Sequence, residues 1–232
     1  MPSINTPNGK IKYRTVPLYL GVKQIDKKIA RENLILLKKV LDAHSIHFQL
    51  HAGTLLGAMR EHDFIDHDED IDLALLDKYR NDILRIIPEL EKIGFKICRY
   101  DKRDLLSIMR KGEYIDFYFY KEFNDKLLSC SGWLVLKEHI QNSTIVDFLG
   151  DTYEIPEKWE EYLVSEYSAS WKIPLKTNNY DIPKYKRLIF AFKEHLKDYL
   201  PKPIFKYLAL RAETKLRTRS LARLRKNLDI EI

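Results

Sequence analysis

Residues 53–72 read GTLLGAMREHDFIDHDEDID: a small-residue turn, then a dense group of carboxylates. Past them, Ile71, Leu73 and Leu75 alternate with Asp70, Asp72 and Ala74, the period-two pattern of a β-strand. On such a strand Asp70 and Asp72 project from one face, their side chains roughly 7 Å apart. Carboxylates held that way repel each other unless a cation sits between them. Hard divalent ions with oxygen ligands, Mg²⁺ above all, suit the gap. The stretch reads as a metal site for phosphate chemistry.

Working outward, Ile46, Phe48 and Leu50 alternate with polar residues, which predicts a strand over 46–51. Gly53-Thr54 would then turn the chain into a short helix over 55–60. Glycine lets a backbone approach a phosphate closely, a helix N-terminus offers it unpaired N–H groups, and Thr54 adds a hydroxyl. A third carboxylate, Asp116, lies in the β-prone run EYIDFYFY at 113–120. An acid among so many apolar residues is costly unless it is paired or metal-bound. Taken alone, Asp116 reads equally well as a surface residue of an edge strand. If its strand lies beside residues 71–76, it completes a site with Asp70 and Asp72.

Apolar residues at helical spacing predict an amphipathic helix over 23–45 and another over 78–93, the latter broken or kinked at Pro88. Strands are expected over 94–100 and 105–110, with a hairpin arm at 126–130. A helix is expected over 156–167, with Pro156 in its first turn. The sum is one α/β catalytic domain over 1–182 with a helical extension over 183–232.

Composition bounds the function classes. The chain has 232 residues, 45% hydrophobic and 32% charged, enough for one sizeable core. Two cysteines, Cys98 and Cys130, without a CxxC pair, argue against a structural zinc site or a disulfide framework. The first residues lack a signal-peptide core, and no apolar run reaches spanning length, so a soluble, cytoplasmic protein is expected. From 183 to 232 there are 14 Lys/Arg against 5 Asp/Glu, a net of +9; the whole chain is +6, leaving −3 for residues 1–182. A mildly acidic body argues against a nucleic-acid groove. The basic tail permits peripheral contact with an anionic membrane or a polyanion. Within it, Leu216, Leu221, Leu224 and Leu228 could lie on a bilayer, or belong to a solvated or frayed helix.

The stretch GTLLGAMREHDFIDHDEDIDLAL resembles the signature of the LicD phosphotransferases, the group that includes fukutin and fukutin-related protein. Its usual form is GTLLGAxR, a short spacer, then FIPWDxDIDI. Gly53, Thr54, Leu55, Leu56, Gly57, Ala58, Arg60, Phe64, Ile65, Asp68, Asp70, Ile71 and Asp72 match. Asp66 and His67 depart, standing where Pro and Trp are usual. A later segment, 148–174, resembles the family's second block, with Tyr167-Ser168-Ala169-Ser170-Trp171 in place of YGDW.

The resemblance implies a nucleotidyltransferase-like fold, a small mixed sheet flanked by helices. It implies Asp68, Asp70, Asp72 and Asp116 around the metal, with Asp70, Asp72 and Asp116 catalytic. Gly53, Thr54 and Arg60 would hold the phosphates of a nucleotide-activated, CDP-linked donor. The implied reaction moves a phosphorylated alcohol, such as phosphocholine or ribitol phosphate, to a hydroxyl of a cell-surface glycan or its precursor. Two other readings stay open: a nucleotidyltransferase that leaves a nucleoside monophosphate on its acceptor, and an inactive glycan- or nucleic-acid-binding domain. His51, His62 and His67 are expected to be structural before they are ligands. Trp133, Trp159 and Trp171 are expected in the core or on its rim before they stack on a base or cation.

Overall fold

The computed structural model describes residues 1–18, 23–101, 104–174, 183–197 and 199–230. A hairpin of β1 (Ser3–Thr6) and β2 (Gly9–Lys12) leads to helix α1 (Lys27–Ala43) and the very short β3 (Gln49–Leu50). Helix α2 (Ala52–Arg60), β4 (Ile71–Leu76) and α3 (Arg80–Lys92) follow. Next come β5 (Lys96–Asp101), β6 (Leu105–Arg110), β7 (Glu113–Glu122), β8 (Leu127–Cys130) and β9 (Trp133–Leu136). Helix α4 (Lys137–Gln141), β10 (Ser143–Phe148), β11 (Asp151–Pro156) and α5 (Trp159–Tyr167) complete the body, and α6 (Lys184–Lys197) and α7 (Lys202–Leu228) form the extension.

The main sheet is mixed, in the order β10-β11-β3-β4-β7-β6-β5, with β8 joining β7 to β9. Its centre is the parallel pair β4 and β7, in register from Ile71 beside Ile115 to Leu76 beside Tyr120. Alternation gives this pair two unlike faces. Ile71, Leu73, Leu75, Ile115, Phe117 and Phe119 are buried in the main core, while Asp72, Tyr114, Asp116 and Tyr118 share the other side. Helix α1 closes on β7 and α2 on β4. Asp26 caps α1, its carboxylate accepting from the Lys28 and Ile29 N–H groups at 3.0 and 3.1 Å.

The mixed α/β architecture with its helical extension is as expected, and local differences have local causes. The strand expected over 46–51 shrinks to two residues because Ile46 turns back to cap α1, its N–H donating to the Leu41 carbonyl at 3.0 Å. Helix α3 runs through Pro88, which sits on its exposed side. Pro156 ends β11 rather than opening a helix, because residues 151–156 pair along their whole length with β10. The exposed edge strand β10, with Ile145 turned outward, shows no core-facing alternation in sequence and went unpredicted, as did β9 and β11.

The extension is partly integrated with the body. The expected boundary after residue 182 falls at a stretch, 175–182, outside the described residues. Further on, Leu224 is fully buried against Leu127 and Leu134, with Leu136, Leu221 and Leu228 around it. Arg223 ion-pairs with Glu166 of α5, donates to the Leu134 carbonyl at 2.8 Å and lies 4.2 Å over the Trp133 ring. Asn227 donates to the Ser165 carbonyl at 3.0 Å. Three of the four tail leucines considered for a bilayer are therefore occupied by the protein itself. Among the described residues no helix is long and apolar enough to cross a membrane.

Truncating Leu224 would leave a cavity in this seam. Leu224→Ala should lower the unfolding free energy by about 2–5 kcal/mol in urea titrations; an unchanged midpoint would show α7 to be an independent helix.

Candidate active site

Strand pairing sets Asp72 on β4 directly beside Asp116 on β7. Asp70 lies one residue before β4 begins, so it is free of the ladder and bends inward. One carboxylate oxygen from each of Asp70, Asp72 and Asp116 lies within 4.8 Å of the others. That is tighter than the spacing expected for alternate residues of one strand. Asp68 lines the same cavity but stands outside this trio.

Burial and mutual repulsion both act against ionisation here. The Asp70 carboxyl is held well above the usual range by burial first and by Asp72, Asp116 and Asp68 next. Asp72 is held up by burial, then by Asp68 and Asp116, against the opposing hydrogen bonds of Tyr118 and the Gly53 N–H. Burial pushes Asp68 up to about 6. Asp116 is raised by burial, with Arg99 opposing. Arg99, on β5, ion-pairs with Asp116 and is fixed by donating from Nε to the Ser107 hydroxyl at 2.9 Å. The Oδ1 atom of Asp116 is buried and has no hydrogen-bond partner among the described residues. Three converging carboxylates, one with an unused buried oxygen, are an oxygen-rich donor set that fits a hard divalent cation.

The motif's glycines work by close approach. A Cβ on Gly53 would meet Asp68 Oδ2 at 2.6 Å, so a larger residue there would have to push that carboxylate aside. The Gly53 N–H donates to Asp72 Oδ2 at 3.3 Å, which aims the helix N-terminus at the acids. A Cβ on Gly57 would meet the Asp63 carbonyl at 2.5 Å, where the chain crosses back over the helix.

The expected Gly-Thr turn is one step displaced: the chain turns at Ala52, in the left-handed region at φ 41°, and Gly53 and Thr54 are already helical. Thr54 is fully buried, and its hydroxyl accepts the Asp72 N–H at 2.9 Å. It clamps α2 to β4 instead of facing the cavity. Arg60 also lies off the cavity wall; its guanidinium holds Glu61 at 2.7 Å and the Trp171 carbonyl at 3.1 Å.

The cavity has a volume of about 380 Å³, and Gly53, His67, Arg99, Tyr114, Tyr118 and Tyr167 join the carboxylates on its wall. Arg99 and Tyr167 escaped the sequence reading. No local signal marked the first, because β5 reaches β7 only through β6; the inexact YSASW block held the second. His51 is structural, bonded to the hydroxyls of Tyr120 at 2.9 Å and Tyr162 at 2.8 Å, and burial lowers its pKa to about 3, leaving it neutral. His62 is exposed and His67 reaches the wall. The tryptophans lie elsewhere: Trp171 is buried edge-on against Trp159, and Trp133 packs under Arg223.

A second group, Glu138, His139 and Glu161, also brings possible ligand atoms within 4.8 Å. It is already compensated, since Lys158 pairs with Glu138 at 2.9 Å and His139 Nε2 bonds to Glu161 at 2.9 Å.

Carboxylates on two adjacent strands, faced by the N-terminus of a glycine-bearing helix, define a nucleotidyltransferase-type domain. Residues 45–159 match the family described as LicD/FKTN/FKRP, nucleotidyltransferase domain, and the chain belongs to that family through this domain. Ribitol-5-phosphate transferase FKTN of Macaca fascicularis is 26% identical over 160 residues, covering 65% of this chain and 35% of that protein. The Homo sapiens protein of the same name gives the same identity and coverage. The chain thus spans 35% of the length of these curated relatives. Among solved structures, the antibiotic-resistance factor ANT(2'')-Ia aligns over 85% of this chain and 94% of its own, at 12% identity and a TM-score of 0.46.

The raised carboxyl pKa values fix the sign of a pH effect. With EDTA present, stability from these groups is full below the ordinary aspartate value of 3.8 and is lost as pH climbs through about 6 and higher. Asp72→Asn should flatten that loss in thermal melts, and Mg²⁺ should restore stability to the wild type at neutral pH. Superimposable pH profiles for the two proteins would contradict this electrostatic account.

Proposed function

We propose that the chain transfers a phosphorylated alcohol, phosphocholine- or polyol-phosphate-like, from a CDP-linked donor to a hydroxyl of a cell-surface glycan or its precursor. The convergence of Asp70, Asp72 and Asp116 beside the N-terminus of α2 is the observation that carries this reading. The fukutin relatives are named for ribitol-5-phosphate transfer, which supports a phosphoalcohol as the cargo.

Asp70, Asp72 and Asp116 would hold Mg²⁺ or Mn²⁺, with Asp68 behind them. Bound there, the ion would supply Lewis-acid stabilisation of charge on the donor's pyrophosphate. The chain's own groups do the rest. The N-terminus of α2 faces the cavity at Gly53, and its helix dipole would favour a phosphate there. Arg99, fixed by Ser107, offers a guanidinium from the opposite wall, a better-placed phosphate contact than Arg60. The acceptor oxygen attacks the phosphorus bearing the alcohol; that O–P bond forms, the bridging O–P bond breaks, and the nucleoside monophosphate leaves. A carboxylate of the trio, Asp116 in the first instance, takes the acceptor's proton.

Incubation with CDP-choline or CDP-ribitol, Mg²⁺ and a glycan acceptor should release CMP and add the alcohol phosphate to the acceptor by mass. Asp72→Asn and Asp116→Asn should each cut the rate by at least about a hundredfold. An acceptor that instead gains a nucleotide would replace this reading with nucleotidyl transfer. In a separate calorimetric titration, Gly53→Val should weaken donor binding by about tenfold, near 1.4 kcal/mol, because its side chain would collide with Asp68. Unchanged affinity would leave Gly53 with a packing role alone.

A further inference from the structure

Helix α6 exposes an apolar face that the rest of the described chain does not cover. Tyr185, Leu188, Ile189, Phe192 and Leu196 recur at helical spacing, and each is exposed, Leu188 by 71% and Phe192 by 66%. The start of α7 repeats the pattern with Ile204, Tyr207 and Leu208, all exposed. So much outward apolar surface in one short region marks an interaction site. Its surroundings are basic: residues 183–211 contain eight Lys/Arg against two Asp/Glu, and Lys186, Lys193, Lys202 and Lys206 are exposed.

We infer that α6 and the first turns of α7 form a docking surface that lies on an anionic lipid bilayer. The chemistry matches an interfacial helix: aliphatic and aromatic side chains for the acyl boundary, and flanking lysines for anionic headgroups. Charge argues against a second copy as the occupant, because two such faces would bring like charge together. The site lies upstream of the leucines of the extension first suited to a membrane, since Leu221, Leu224 and Leu228 are sealed against β8 and β9. The packed second half of α7 anchors the surface. Its Arg223 holds Glu166, next to Tyr167 on the cavity wall. This inference stands whatever group the site transfers.

Co-sedimentation of the full chain with vesicles tests it. Vesicles of phosphatidylcholine mixed with phosphatidylglycerol should retain the protein at least about tenfold better than phosphatidylcholine alone, and about 1 M salt should erase the difference. The double variant Leu188→Ser/Phe192→Ser, unchanged in charge and altered only at exposed positions, should lose at least about tenfold in binding while keeping the wild-type circular dichroism and melting temperature. Equal recovery on both vesicle types would overturn the inference, as would full retention by the double variant. So would a dimer in light scattering that the double variant dissociates, without vesicle binding by the wild type.

Discussion

The in-register parallel pairing of β4 with β7 is the constraint on which the rest of the site depends. It places Asp72 against Asp116 in a buried setting, where like charges repel and desolvation is expensive. The opposite faces of the same strands are among the most completely buried parts of the core, with Ile71, Leu73, Ile115 and Phe117 all fully enclosed. A register shift of one residue would bury the acids in that core and expose the apolar set, so hydrophobic burial holds the carboxylates together against their repulsion. Thr54 and Gly53 add to this by tying the start of α2 to Asp72 through a hydroxyl and an amide. Arg99 answers one of the carboxylates and leaves the trio short of positive charge.

Much of this was legible in the sequence where physics is local. Period-two alternation located β4, β-propensity located β7, helical spacing located α1, and the cost of an acid in EYIDFYFY pointed to Asp116 as a member of the site. Contributions that depend on distant pairing were not legible. Thr54 could be recognised as a motif residue, but its bond to the Asp72 amide appears only once α2 and β4 are assembled. Arg60 was expected at a phosphate from the family motif, yet the segment at Trp171, more than a hundred residues away, supplies an acceptor for it. Arg99 reaches the site through the antiparallel β5–β6–β7 order, which no short window of sequence contains.

The extension shows the same division. Its charge and its leucines were plain, but which leucines face the protein was not. The difference rests on β8 and β9, short strands that present Leu127 and Leu134 to α7 and that composition alone does not pair. The result is one long helix with two roles along its length: a basic, apolar-faced beginning and a packed end that grips α5 beside the cavity.

The central claim is that Asp70, Asp72 and Asp116 form a divalent-cation site. Anomalous diffraction from crystals grown with Mn²⁺ tests it directly. The account predicts a manganese peak within coordinating distance of all three carboxylates. Ordered carboxylates with no peak between them, or a peak only at Glu138, His139 and Glu161, would contradict it.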